Sequence, residues 1–240
     1  MTIKSRKLMV ALGTLLFIIG AVIGLWLMVV SAWGDLEAML FDSALGSDEP
    51  LKTLDCPTLI TPSEVGIVSA SYANNSDFER KVIIQTHMTM GHSYLITEQR
   101  DENMIAPGES LEMEYEVFAN QAAFHRLILV RIYQFRSFSI PSRSGSCGIM
   151  VVDLPQFTGS QIYNGAFGGS LMLMILGIGL RMQASKAQKS LTKRVTNGLI
   201  FLGGEIILGI LLTMLGSWLI SVLVVVFAVI IIIGILSFLS

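Results

Sequence analysis

Four long apolar runs dominate the pattern of hydrophobic and polar positions along this chain. They cover residues 8–33, 162–180, 195–215 and 218–239. About 20 apolar residues in a helix cross the hydrocarbon layer of a bilayer, because a helix rises about 1.5 Å per residue. Each run therefore predicts one transmembrane helix, and Gly216-Ser217 predicts a tight turn between the last two.

The first apolar run also fits a cleaved signal peptide. Val30-Ser31-Ala32 would serve as a cleavage site, and three basic residues precede the run. The apolar stretch of a signal peptide is only about 7–15 residues long, however, and this run is longer. We therefore expect an uncleaved anchor.

Between the first and second runs the hydrophobic period changes to two. Leu111, Met113, Tyr115 and Val117 alternate with three glutamates. Such alternation predicts an antiparallel strand with one face in water.

Further short strands are predicted in the same segment. They lie at residues 65–73, 81–90, 93–97, 127–138 and 147–152. Turns are predicted at residues 74–77 and 106–109, where Asn, Pro and Gly favour chain reversal. Strands of this number and spacing predict a β-sandwich over residues 56–155, after an acidic linker at residues 34–55.

The predicted fold class is thus a membrane α-helical bundle of four transmembrane helices. An all-β, sandwich-like extracytoplasmic domain is inserted between helices one and two. The composition supports a membrane protein, since 52% of the residues are hydrophobic, 14% are charged and the mean hydropathy is +0.67. Soluble proteins average about 25% charged residues.

Acidic and basic residues are sorted into separate segments, which predicts the orientation of the chain. Between residues 34 and 160 lie 17 of the 18 Asp and Glu residues but only 8 of the 16 Lys and Arg residues. The other bases form two patches without acids, before the first run and at residues 181–194. Bases beside spanning helices remain cytoplasmic. We therefore expect a multi-pass plasma-membrane protein with both termini inside and the β domain outside.

The basic patch between the second and third runs is predicted to face anionic lipid headgroups. Its bases are Arg181, Lys186, Lys189, Lys193 and Arg194. Each is expected to contribute about 1 kcal/mol of attraction to such a surface. Binding of calmodulin or another regulator is the alternative to this topology-setting connector. Nucleic acid is excluded as a partner of the acidic outer segment, because binding phosphate needs clustered bases.

The segment from Val65 to Val117 has an Asn-rich turn, and an Ala-Pro-Gly-Glu turn before the alternating strand. In these features it resembles immunoglobulin-like or fibronectin-III-like sandwich domains. The resemblance covers only the segment between the first two apolar runs. The three tryptophans lie in or beside the apolar runs, so the buried tryptophan of true immunoglobulin domains has no counterpart. The resemblance implies a domain for contact or support, without catalytic residues. No family is recognised for the whole chain.

The two cysteines, Cys56 and Cys147, both lie in the predicted outer segment. An exported segment permits a disulfide, which would close a loop of about 90 residues and contribute roughly 4–5 kcal/mol in the chain-entropy model. We expect this bond. The alternative is two free thiols, one of them lipidated or bound to a metal.

Glu205 is the one ionisable residue deep within an apolar run. It lies about ten residues, or roughly 15 Å, into the third helix. A charged carboxylate at such a depth costs about 2.5 kcal/mol or more, so this group should be neutral or paired. We expect a neutral carboxyl that donates a hydrogen bond across a helix interface. The alternative is a proton or ion relay, which needs a second titratable group that the other runs lack.

Small residues on the apolar runs predict close contacts between helices, within one chain or between chains. The glycines proposed for this role are Gly20, Gly24, Gly165, Gly169, Gly198, Gly209 and Gly216.

A search for catalytic and metal-binding patterns favours a protein without enzymatic activity or cofactor. The chain has no Gly-x-Ser-x-Gly, CxxC or HExxH pattern and no phosphate-binding loop. His87, Met88, Met90 and His92 form a group of copper-type ligands. In a strand, however, the two methionines face one side and His87 the other, so we expect core packing rather than a metal site.

These patterns predict a non-enzymatic accessory or scaffold subunit of a larger membrane complex. Its partners would be the lipid bilayer and other membrane protein subunits, with a homo-oligomer also open. The β-sandwich and the small-residue helix faces would make the contacts. One alternative is a surface receptor or adhesion protein that binds a ligand through the sandwich. Another is an oligomeric channel or transporter subunit with Glu205 in its path.

Overall fold

The computed structural model of the chain describes residues 3–42, 46–91, 95–137, 141–185, 190–214 and 218–237. The chain divides into two compact units. The first, the helical unit, comprises Met1–Ala32 and Tyr163–Ser240, and the second, the β domain, comprises Trp33–Ile162. As predicted, a domain of β-sheet lies in sequence between the first helix and the others.

Four helices are described, and each coincides with one of the predicted apolar runs. They are α1 (Ile3–Leu40), α2 (Gly159–Ser185), α3 (Ser190–Met214) and α4 (Trp218–Ser237). The last is rich in β-branched Val and Ile, which are weak helix formers in water. A helix nevertheless satisfies its own backbone hydrogen bonds, which is what an apolar solvent demands.

Three of these helices are long and apolar enough to cross a membrane. The candidate spans are Ser5–Leu40, Gly159–Ala184 and Arg194–Thr213. The apolar part of α4 in the described residues, Leu219–Gly234, is shorter than a span requires. The prediction of four spanning helices is therefore confirmed in length and composition for three.

In the described residues, the β domain contains nine strands in two sheets. The strands are β1 (Glu49–Pro50), β2 (Leu54–Asp55), β3 (Leu59–Ile60), β4 (Val65–Ala73), β5 (Arg80–Thr89), β6 (Ile96–Ile105), β7 (Ser110–Phe118), β8 (Leu127–Gln134) and β9 (Arg143–Val151). The larger sheet has the order β1-β9-β8-β5-β6, with β3 also paired to β9. It is a mixed sheet because β1 and β3 run parallel to β9. The smaller sheet has the order β2-β4-β7 and is antiparallel.

One hydrophobic core joins the inner faces of the two sheets. Val68 and Val117 of the smaller sheet belong to the same buried cluster as Ile84 and Ile132 of the larger sheet. The alternation predicted for β7 is confirmed, since Tyr115 and Val117 are buried while the intervening glutamate is exposed. The period of two therefore places one face of β7 in the core.

The segment predicted as an acidic linker is largely structured. Helix α1 continues to Leu40, and β1 and β2 lie within the predicted range of residues 34–55. The extension of α1 has a packing reason, because Ala38 and Phe41 form a buried cluster with Leu127 and Leu129 of β8. The sequence also indicates a short helix around residues 36–41 within this linker, and α1 covers that range as far as Leu40.

The sixth strand also differs from the prediction, which placed a short strand at residues 93–97. The observed β6 is ten residues long and mostly exposed. It pairs with β5 alone and forms an edge of the larger sheet. Charged residues are typical of edge strands, and they conceal the alternation that identifies a half-buried strand.

Candidate functional site

Close contacts between α1 and α2 are made at small residues. A Cβ atom added to Gly20 would lie 2.7 Å from the carbonyl oxygen of Ser170, and the Ser170 hydroxyl donates a 2.7 Å hydrogen bond to the Gly20 carbonyl. A Cβ on Gly13 would lie 2.7 Å from the carbonyl oxygen of Gly177. Gly20 therefore lies at a close contact between two helices. Gly13 was not among the predicted glycines, although it precedes Gly20 by seven residues and so lies on the same helix face.

Two further predicted glycines also lie at contacts between helices. A Cβ on Gly24 of α1 would lie 2.6 Å from Ile206 Cγ2 of α3. A Cβ on Gly209 would meet the side chain of Met28 and lie 2.9 Å from Val224 Cγ1. Each glycine thus permits a close approach that a larger residue would prevent.

The remaining predicted glycines have different outcomes. Gly198 is half-buried in α3, and Gly216 lies outside the described residues. Gly165 and Gly169 of α2 make no close contact with another described helix, because an added Cβ would meet no described heavy atom outside its own turn of α2 within 4 Å. The same holds for Gly168. We refer to Gly165, Gly168 and Gly169 as the open glycine face.

Arg181 is not a lipid-facing residue, contrary to the prediction. It is only 5% exposed. Its guanidinium Nη1 donates to Thr14 Oγ1 of α1, and its Nε lies 3.5 Å from Thr196 Oγ1 of α3. The prediction was wrong because it treated the bases at residues 181–194 as one solvated loop, whereas Arg181 lies in the last turns of α2.

Of the other bases of that patch, one has a described side chain. Arg194 is exposed, as expected of a residue beside lipid headgroups. Lys186 and Lys189 lie outside the described residues, as does the side chain of Lys193.

Glu205 is half-buried within α3. Its Oε2 atom is buried and has no hydrogen-bond partner among the described residues. The predicted hydrogen bond across a helix interface is therefore absent for this oxygen in the described part of the chain. A relay through Glu205 stays a prediction.

The β domain contains the predicted disulfide between Cys56 and Cys147. Cys56 follows β2, and Cys147 lies within β9, 91 residues later in the chain. The bond therefore joins the beginning of the domain to its last strand. These cysteines have no free thiol that could act as a nucleophile or bind a metal.

The end of α1 is fastened to the larger sheet within the β domain. Gly34 and Gly148 approach so closely that a Cβ on Gly148 would meet the backbone of Gly34. The guanidinium Nη1 of Arg131 donates to the carbonyl oxygens of Met39 and Phe41, at 3.4 and 3.0 Å. A cation at the last carbonyls of a helix is favourable because these oxygens lack partners within the helix.

His87 joins this arrangement from β5. The Gln85 side-chain amide donates to His87 Nε2 at 2.8 Å, which leaves His87 Nδ1 to donate to Asp42 Oδ2. Asp42 follows the end of α1 and has a positive φ of 47°. The signal for this pair was weak, because 45 residues separate the two side chains in the sequence.

The residues that were weighed as copper ligands, His87, Met88, Met90 and His92, lie in different surroundings where they are described. Both ring nitrogens of His87 have hydrogen-bond partners, and Met88 belongs to the hydrophobic core. Met90 is 58% exposed, and His92 lies outside the described residues. Among the described residues, no group of three or more His, Cys, Asp or Glu side chains is arranged to hold a metal ion.

A groove lies beside the end of α1, next to these groups. Its volume is about 510 Å³. Its lining combines two carboxylates with apolar side chains: Glu37, Leu40, Phe41, Asp42, Ile96 and Leu129. The volume falls in the range of about 300–1,000 Å³ that is typical of ligand sites. The chemistry of the lining suits a group that is cationic at one end and apolar at the other.

The comparisons with known proteins assign no family. No protein-family model and no curated protein matches the chain. Among solved structures it is similar to a Paenibacillus sp. cycloisomaltooligosaccharide glucanotransferase, with a TM-score of 0.32 and 9% identity over 44% of this chain and 14% of that one. A Bacteroides uniformis β-glucuronidase gives a TM-score of 0.29 and 9% identity over 40% and 12% of the two chains. A Listeria innocua β-glucosidase gives 0.28 and 16% identity over 40% and 15%. Likenesses this low in score and coverage say nothing about the function of this chain.

Proposed function

We propose that the protein is a non-enzymatic, multi-pass membrane protein that acts as an accessory or scaffold subunit of a larger membrane assembly. In this proposal the helices cross the plasma membrane, and the basic patches lie on the cytoplasmic side. The disulfide-closed β domain lies on the opposite side, where its surface meets other subunits. The apolar helices and the sorting of acids and bases support this orientation.

The open glycine face of α2 is the observation that carries the proposal. Helices in a bilayer associate through close packing of small residues, because lipid chains are as apolar as the side chains they would replace. Gly13, Gly20, Gly24 and Gly209 meet this expectation within the chain. Gly165, Gly168 and Gly169 are clustered in the same way, but a Cβ added to any of them would meet no described heavy atom of another element within 4 Å. A helix of another subunit would complete the contact.

Purification from native membranes in a gentle detergent tests this proposal. The wild-type chain should retain a companion protein at fixed stoichiometry. The double variant Gly165→Leu/Gly169→Leu should lose it, because two large side chains would hold the other helix away. Gly204→Leu is the matched control, since a Cβ added to this exposed glycine of α3 also meets no described heavy atom within 4 Å, and no other glycine lies three or four residues away. A wild-type chain that purifies without any companion contradicts the proposal.

The groove beside the end of α1 favours a second candidate, a surface receptor. Its ligand would combine a basic group with an apolar one, to match the carboxylates and the apolar lining. In this case the full-length protein should bind basic amphipathic peptides and not acidic ones. Ile96→Ser should weaken binding because Ile96 lines the groove, whereas Met104→Ser on the same strand should not. Equal binding of both peptide classes would rule out this receptor.

A further inference from the structure

Arg181 is a cation buried where three helices meet. It lies on α2, contacts Thr14 on α1 and Thr196 on α3, and is 5% exposed. The Thr14 hydroxyl donates its own hydrogen to the Val10 carbonyl oxygen at 2.7 Å, so it serves Arg181 as an acceptor. A guanidinium carries five N–H groups, and these two hydroxyls are neutral. The described contacts therefore orient the cation without neutralising it.

The helical unit supplies no acid to balance this charge. Glu205 is the one Asp or Glu residue of the sequence within Met1–Ala32 and Tyr163–Ser240. It follows Thr196 by nine residues on α3, which corresponds to about 13.5 Å along the helix axis. The carboxyl of Glu205 is thus too far along α3 to pair with a guanidinium that contacts Thr196. An arginine side chain keeps its charge in proteins. No acidic side chain of the helical unit can therefore pair with Arg181.

The surroundings of Arg181 indicate which anion would fit. Lys7 precedes Thr14 by two helical turns, lies on the same side of α1 and is exposed. Ile18 follows Thr14 by one turn on that side and is an exposed apolar residue. This arrangement offers one buried cation with a further base and an apolar residue on the same side of α1.

We propose that Arg181, held by Thr14 and Thr196, binds a phosphate group between α1, α2 and α3. The planar guanidinium fork matches the oxygens of a phosphate, and such a charge-assisted pair is among the stronger hydrogen bonds. The exposed Ile18 on the same side of α1 favours an anionic phospholipid as the source, with its headgroup at Arg181 and its chains along the apolar part of the helices. This site goes beyond the proposed assembly role and shares with it only the location in a membrane.

Thermal unfolding of the full-length protein in lipid nanodiscs tests the site. One arm contains phosphatidylglycerol in phosphatidylcholine, a second contains phosphatidylcholine alone, and a third adds millimolar inorganic phosphate to the second. Phosphatidylglycerol should raise the wild-type melting temperature by about 3 °C or more, because it binds the folded state. Stabilisation by inorganic phosphate at an equal level would identify a soluble phosphate as the source and overturn the lipid assignment.

Two variants separate a binding site from a structural contact. Arg181→Gln should remove the response to phosphatidylglycerol and should melt no lower than wild type in phosphatidylcholine alone, because an uncompensated buried charge is gone. Arg194→Gln, which changes an exposed base, should keep most of the response. A lower melting temperature of Arg181→Gln in every lipid, with its response to phosphatidylglycerol intact, would mean that Arg181 is structural and would overturn the proposal. Equal losses in both variants would indicate a diffuse surface patch and would also overturn it.

A measurement of affinity covers the case in which Arg181→Gln does not fold. Arg181→Lys keeps the charge but loses the fork. It should bind phosphatidylglycerol roughly tenfold more weakly than wild type, as observed by native mass spectrometry, because paired hydrogen bonds are lost. A wild-type protein that binds phosphatidylglycerol no better than phosphatidylcholine would overturn the proposal whatever the variants do.

Discussion

Buried charged side chains have different kinds of partner in the β domain and in the helical unit. In the β domain, His87 meets Asp42 and Gln85, and Arg131 meets the last carbonyls of α1. In the helical unit, the described partners of Arg181 are neutral hydroxyls, and Glu205 Oε2 has no described partner. Charged side chains of the β domain thus meet oppositely charged or carbonyl groups, although some buried polar atoms there, such as the Tyr72 hydroxyl, also have no described partner. In the described part of the helical unit, neither Arg181 nor Glu205 meets a group of opposite charge.

Removal of the disulfide should lower the stability of the β domain more than any other change considered below. Cys56→Ala/Cys147→Ala should lower the free energy of unfolding by about 2–5 kcal/mol, because the unfolded chain regains the freedom of a long loop. Thermal unfolding followed by the tyrosine signal of the domain measures the loss. Reduction of the wild-type protein with dithiothreitol should reproduce it, while the reductant should leave the double variant unchanged. An unaffected double variant would show that the domain does not depend on this bond.

Removal of His87 should break the polar arrangement that fastens the end of α1. His87→Ala should cost about 1–3 kcal/mol, because the largely buried carboxylate of Asp42 loses its hydrogen-bond donor. The exposed pair Lys81–Glu102 provides the control, and Lys81→Ala should have no measurable effect. Chemical denaturation of the full-length protein in detergent compares the two variants. Equal effects would remove the distinction between buried and exposed polar groups in this domain.

The packing of the sheets could be predicted from the sequence to a greater extent than the polar arrangement. The alternation around Tyr115 and the Pro-Gly turn before it are local signals, so β7 was predicted within one residue of its observed bounds. The hydrogen bond between Asp42 and His87 depends on how the end of α1 packs beside β5, and no local sequence pattern indicates it. Arg181 was misplaced for the same reason, since only the meeting of three helices buries it.

A pH titration examines the interior of the β domain, where burial raises the pKa of both Tyr72 and Tyr115. A tyrosine with a raised pKa stabilises the folded state fully below the ordinary value of about 10, and this contribution is lost as the pH rises above it. The free energy of unfolding of the wild type should therefore fall as the pH rises from about 9 to 11. Tyr72→Phe should reduce the fall. It should cost little at pH 7, because the Tyr72 hydroxyl has no hydrogen-bond partner among the described residues.

Glu205→Gln should have the smallest effect of these changes. Glutamine has nearly the same shape as a neutral carboxyl, so the free energy of unfolding should change by about 0.5 kcal/mol at most. The melting temperature in detergent should stay correspondingly close to that of the wild type. Ion flux into reconstituted vesicles should be equal for wild type and variant. A flux that depends on Glu205 would favour the channel alternative over a scaffold.

Photo-crosslinking in native membranes tests most directly whether another subunit completes the helical unit. A photoreactive amino acid would replace Gly168, in the middle of the open glycine face, and in a separate variant Gly204 of α3. We expect a discrete protein adduct of one size from position 168 and none from position 204. Crosslinks to lipid alone from both positions would contradict it.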